Sequence, residues 1–139
     1  MSDFIDLRIS GMGLDLQDIT KNLSMKPAFS SKKGDVIFNK ATGTETIHKE
    51  DSWIVGVETA PGASIEQTIE KFLKQLIPAA SYLKDLAAKF EVTVWVSTFP
   101  ETEQINVHLS PQAINDIHEI GASFDCSVKF LKQFYDGTY

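Results

Sequence analysis

The sequence predicts an α+β fold, a mostly antiparallel sheet with helices on one face in the order β-α-β-β-α-β-β-α-β, ferredoxin-like in its first part. Three observations carry this. Apolar residues alternate with polar ones at Ile5, Leu7 and Ile9, at Trp53, Val55 and Val57, and at Val92, Val94 and Val96, the period-2 mark of strands with one buried face. Between them, apolar residues recur at helical spacing, most widely from Ile65 to Ile77. The length of 139 residues, with nine Phe, three Tyr and two Trp, suffices for one sizeable core, so residues 1–139 read as a single domain.

In order, the Ile5–Ile9 strand ends at Gly11-Met12-Gly13. Asp15 then caps a short helix with Leu16, Ile19 and Leu23 on one face and Pro27 beyond its end. From Ser30 to Asp51 apolar residues are few apart from Val36-Ile37-Phe38, which predicts loops around one short strand. The Trp53–Val57 strand follows, then a turn at Ala60-Pro61-Gly62-Ala63.

Ser64-Ile65-Glu66-Gln67 has the form of a capping box, in which Ser64 and Gln67 each meet an otherwise unpaired backbone N–H. Ile65, Ile69, Phe72, Leu73, Leu76 and Ile77 make one broad stripe behind it. Pro78 kinks or restarts this helix, and Tyr82, Leu83, Leu86 and Phe90 extend the apolar face. The Val92–Val96 strand ends near Pro100. Ile105, Val107 and Leu109 predict another strand, and Ser110-Pro111 opens a helix with Ile114, Ile117 and Ile120 inside and Gly121 as its left-handed C-cap. The alternating segment Phe124–Phe130 is the last strand, with Cys126 on its buried side, and residues 132–139 form a less ordered tail. Residues 5–10 and 105–110 match in character position by position, as either a duplication or a coincidence of alternating strands would produce.

Net charge is −6, so a broad grip on a nucleic-acid backbone is not expected. No apolar run is long enough for a membrane helix, and Met1–Asp6 has acidic residues where a secretory signal is basic; the expected compartment is the cytoplasm. A lone cysteine makes neither an internal disulfide nor a multi-thiolate zinc site.

Asp15 with Asp18-Ile19-Thr20, then Leu23, Pro27, Phe29, Lys33-Gly34-Asp35 and Trp53 resembles the opening of a bacterial domain-of-unknown-function family of small single-domain proteins. Gln75-Leu76-Ile77-Pro78, Leu109-Ser110 and Ile120–Asp125 extend the resemblance over nearly the whole chain. Members often carry an acidic residue and a tyrosine after the last Asp, whereas here Asp125 is followed by Cys126-Ser127-Val128. The resemblance implies an α+β fold and a bacterial source, and no activity.

Charge is unevenly spread. Six lysines between Lys21 and Lys49 face only Asp35 and Glu45, a local balance of +4 that leaves −10 for the rest. Lys32, Lys33, Gly34 and Asp35, with Trp53 nearby in sequence, are therefore the candidate binding residues, for an acidic surface or an anionic ligand. The segment lacks the P-loop pattern. His48, Glu50 and Asp51 offer a base and two acids, yet sequence neighbours do not establish a substrate-sized gap. His48, His108 and His118 lack metal-ligand spacing, no Gly-x-Ser-x-Gly elbow occurs, and no cofactor, metal or catalytic residue is expected. Trp95 and Phe99 form a second apolar surface, either covered by a helix or left as a contact patch to which Phe134, Tyr135 and Tyr139 can add.

The expected function is a non-catalytic protein-binding or regulatory module, self-associating or engaging another protein, with toxin-neutralising partners as the analogous class. The alternative is a small enzyme or anionic-ligand domain with its site near residues 32–35 and 48–53.

Overall fold

The chain forms β1 (Phe4–Gly11), α1 (Leu16–Leu23), β2 (Phe29–Ser31), β3 (Val36–Asn39), β4 (Thr44–Ile47), β5 (Asp51–Glu58), α2 (Ile65–Leu76), α3 (Ala80–Ala87), β6 (Glu91–Thr98), α4 (Pro111–Glu119) and β7 (Ser123–Val128). The computed structural model describes residues 3–100 and 106–129. β1 is central because its two faces differ: Ile5, Leu7 and Ile9 are fully buried, while Phe4, Asp6, Arg8 and Ser10 point the other way. It pairs antiparallel with β5 on one side and β6 on the other. β2 adds antiparallel to β5, and β7 lies parallel to β6 after a crossover through α4. The sheet order is β2-β5-β1-β6-β7. Within it β1-α1-β2-β5-α2/α3-β6 reproduces the split βαβ arrangement, so the α+β, ferredoxin-like expectation holds.

α1, α2 and α3 use the faces marked by their stripes. Ser64 Oγ accepts from Gln67 N–H and Gln67 Oε1 accepts from Ser64 N–H, both at 3.1 Å, which closes the capping box of α2. Ile69, Phe72, Leu73 and Leu76 then pack on the sheet. Pro78 sits in a single 3₁₀ turn, Ile77–Ala79, that redirects the chain into α3. Tyr82 of α3 donates to Asp18 Oδ2 of α1 at 2.9 Å, joining the two helices. Burial, and then this carboxylate, push the Tyr82 phenol up to about 12. Ser110 caps α4 through Ala113 N–H, with Pro111 at the first helical position. Gly121 takes a φ of 71° directly under Ala87, where a Cβ would lie 3.1 Å from that methyl.

Four expectations are corrected. Residues 106–110 form no strand, so the echo of β1 is one of sequence alone; Ile105 lies outside the described residues. The second strand of the split motif is Phe29–Ser31, whereas Val36–Phe38 belongs to a separate hairpin with β4. On α4, Ile114 is 56 % exposed and the inward residues are Ala113, Ile117 and Ile120, so the buried face is rotated from the Ile114 stripe towards Ala113. Cys126 is exposed, since β7 is the sheet edge and leaves that position beyond the core, and its thiol is pushed up by partial burial and by Asp3. The predicted tail from 132 onward, and Phe130, lie outside the described residues.

Two outcomes are expected. Phe72, 2 % exposed, should on replacement by Ala lower the unfolding free energy by roughly 3–5 kcal/mol; denaturant titration checks this, and an unchanged midpoint would place α2 the other way round. In the folded protein the Tyr82 phenolate absorbance should rise near pH 12, and Asp18→Asn should move that titration towards the ordinary value.

Candidate binding surface

Asp51, at the start of β5, is the buried carboxylate on which the neighbouring loops converge. Its Oδ2 accepts from Gly13 N–H and Leu14 N–H, each at 2.9 Å, and its Oδ1 accepts from Lys33 N–H at 2.8 Å. Lys32 Nζ lies 3.9 Å from Oδ2 and donates to the Leu14 carbonyl. Lys33 N–H holds the carboxyl below the ordinary range, against the opposing effect of burial, with Leu14, Gly13 and the Lys32 ammonium adding to it. One side chain thus pins the loop after β1 to the loop after β2.

The second loop carries a hairpin. β3 and β4 pair only with each other, and the ladder continues to its base where Gly34 N–H donates to His48 O and His48 N–H to Asp35 O. Ser31 Oγ and His48 Nδ1 share a 2.9 Å hydrogen bond, and the His48 ring lies beside Phe29, so two residues of one face of β2 hold the base. Beyond it the hairpin is an arm. Val36 and Ile47 are cross-strand partners, and Phe38 shares their face; their exposures are 57 %, 63 % and 57 %. Three large apolar side chains exposed on one face of a two-stranded ribbon are unusual, since such a ribbon gains stability from packing on something else.

The second surface is the sheet face opposite the helices. Register places Phe4, Asp6 and Arg8 of β1 there beside Ile54 and Gly56 of β5, Trp95 of β6 and Phe29 of β2. No described helix packs on it, and Trp95 is half-buried. Arg8 lies over the Trp95 ring, 4.3 Å from its centroid, and bonds Asp6 Oδ2 at 3.2 Å. Gly56 makes this possible: a Cβ there would sit 2.0 Å from Asp6 Oδ1 and 2.8 Å from the Ile5 carbonyl. Phe4 and Phe29 are each 39 % exposed.

The structure brings Lys32, Lys33, Gly34 and Asp35 together at the base of the arm. Lys33 N–H is bound to Asp51, Gly34 N–H to His48, and Lys32 N–H to Asp35 Oδ2 at 2.8 Å, so the backbone donors of this loop serve the fold. The Lys32 ammonium is engaged as well, by the Leu14 carbonyl and beside Asp51. Trp53 lies apart from them, fully buried, its Nε1 donating to Thr20 Oγ1 at 3.0 Å. Ser31 and His48 are the described nucleophile–base contact, and Ser31 is closed to substrate at 5 % exposure. Grooves of about 300 Å³ between β5 and α2 and about 220 Å³ beside Trp53 are lined by Thr68 and Thr20, whose hydroxyls donate to the Ser64 and Leu16 carbonyls. Among the described residues no cluster of His, Cys, Asp and Glu is arranged for a metal, and no helix is long and apolar enough to cross a membrane. Sequence reasoning missed Asp51 as the anchor and the exposure of Val36, Phe38 and Ile47. The long-range backbone donors to Asp51 leave no trace in a motif, whereas the apolar triplet 36–38 was visible.

Asp51→Asn removes an acceptor oxygen and puts an amide N–H against the donors. Because the folded-state carboxyl titrates below its ordinary value, its stabilisation is present at neutral pH and is lost as pH falls through the folded-state pKa. Thermal melts should show the variant less stable at pH 7, the gap narrowing in acid; a gap constant with pH would contradict the charge-assisted clamp.

Comparison with curated proteins and with solved structures gives no match. A family model, Domain of unknown function (DUF4279), matches residues 3–131, which takes in the sheet, the described helices and the hairpin arm. The chain therefore belongs to this family of domains of unknown function.

Proposed function

We propose that the protein is a non-catalytic protein-binding module whose contact element is the β3–β4 arm. The observation that carries this is the exposure of Val36, Phe38 and Ile47 on one face of a ribbon that no strand of the main sheet joins. Lys40 in the hairpin turn and Lys33 and Lys49 at its base add positive charge beside that apolar face, on which Glu45 is the cross-strand partner of Phe38. The Asp51 clamp supports the same reading, since an arm gripped at its base is presented in a fixed place without loss of the tip's accessibility. An anion-holding site at residues 32–35 has less support, because the backbone donors it needs are engaged within the loop.

The test is capture from a lysate of the source organism by wild type and by the triple variant Val36→Ser, Phe38→Ser, Ile47→Ser. The variant should melt at nearly the wild-type temperature, since these side chains lie outside the core, and should lose the retained protein. Phe38→Ser alone should weaken binding by roughly tenfold or more, as for a central aromatic anchor. Equal retention by wild type and the triple variant would remove the arm from the interface.

A further inference from the structure

We propose that the outer edge of β5 from Gly56 to Glu58, with the groove between β5 and α2, docks an extended peptide of another protein. The peptide adds as a strand and places an apolar side chain in the groove. This site is separate from the arm and does not rest on the arm's role.

The edge supplies the backbone half of the site. In an antiparallel ladder, alternate residues turn both backbone groups to one neighbouring strand. Thr59 N–H donates to the Asp3 carbonyl, so Thr59, Val57 and Val55 face β1. Ile54, Gly56 and Glu58 face the other way, and the Ile54 carbonyl accordingly accepts from Ala28 N–H at 2.8 Å. β2 pairs with β5 only from Ser52 to Ile54, and before Ala28 stands Pro27, which has no N–H with which to extend that ladder. Among the described residues no strand takes up the N–H and C=O groups of Gly56 and Glu58. They form a row of two donors and two acceptors repeating every ~6.8 Å along the strand. A second extended backbone matches that row, as in recognition by strand addition.

The groove supplies the side-chain half. Val57 pairs with Ile5 and shares its side of the sheet, so it turns towards the helices. Between Val57 and Phe72 of α2 lies the groove of about 300 Å³, which Ala60 and Ala63 leave open because their side chains are small. Thr68 also lines it, but its hydroxyl already donates to the Ser64 carbonyl. A strand laid along Gly56–Glu58 turns every second side chain towards the helices. There the floor of Val57 and Phe72 suits an apolar one.

The test is a titration of the full chain, followed by amide NMR, with short blocked peptides of alternating valine and threonine that carry leucine, valine or phenylalanine at the centre. At least one should bind, with the largest shifts at the Gly56 and Glu58 amides. Aspartate at the centre, or N-methyl groups on the three central amides, should abolish binding. Glu58→Pro removes one outward N–H and none of the bonds to β1, so circular dichroism should be unchanged while binding weakens about two- to tenfold, as for one hydrogen bond. Ala63→Phe, which fills the groove from its rim, should abolish binding independently of that edge. No binding by any of the three peptides would overturn the inference. So would equal binding of the N-methylated peptide, or shifts confined to residues outside β5 and α2. Slow exchange of the Gly56 and Glu58 amides without peptide would overturn it too, since the edge is then already taken by the chain itself or, if the protection rises with protein concentration, by a second copy.

Discussion

The Asp51 carboxylate is the interaction on which the candidate surface depends. Its two oxygens take backbone N–H groups from Gly13, Leu14 and Lys33, so a single buried charge joins two loops about 20 residues apart in sequence to the start of β5. Charge-assisted bonds of this kind are stronger than neutral ones and tolerate little displacement. A short edge strand such as β2 has few ladder bonds with which to orient the hairpin beyond it. The clamp supplies that orientation, and the Ser31–His48 bond and the Phe29–His48 ring contact add to it at the hairpin base.

From there the architecture divides into a core that is closed and two surfaces that are not. The described helices lie on one face, where Ile5, Leu7, Ile9, Val92, Val94 and Val96 meet Phe72, Leu73 and Leu83. The helices bury that face of the central strands and leave the other to Arg8, Trp95 and the phenylalanines. The hairpin then adds apolar area away from the core. Other large apolar residues are exposed too, Met12 and Ile114 among them, but Val36, Phe38 and Ile47 lie together on one face of a two-stranded ribbon.

Much of this is legible in the sequence where local rules and packing agree. The alternation at Ile5–Ile9, the stripe from Ile65, the Ser64–Gln67 box, the break at Pro78 and the Ser110-Pro111 helix start all name their own structure. Legibility fails where the deciding partner is remote. Phe29–Ser31 is a strand because β5 offers it an edge, and its three residues carry no alternation to announce it. Residues 106–110 do alternate, yet no strand of the sheet takes them up. Cys126 lies in register with buried Val96, but edge position rather than pattern sets its exposure. Of the candidate binding residues, the Lys32–Asp35 run was visible through its charge. That Asp51 anchors it was not, because its partners are backbone groups that every residue carries.

The central claim is that one carboxylate holds the two loops together and so presents the arm. Amide hydrogen exchange at Gly13, Leu14 and Lys33, compared between wild type and Asp51→Asn, tests it most directly. The account predicts slow exchange at all three in wild type and fast exchange at all three in the variant, with core amides such as Leu73 and Val94 still protected. If the three amides respond independently, or keep their protection without the charge, the loops are held by something else and the clamp is not what positions the arm.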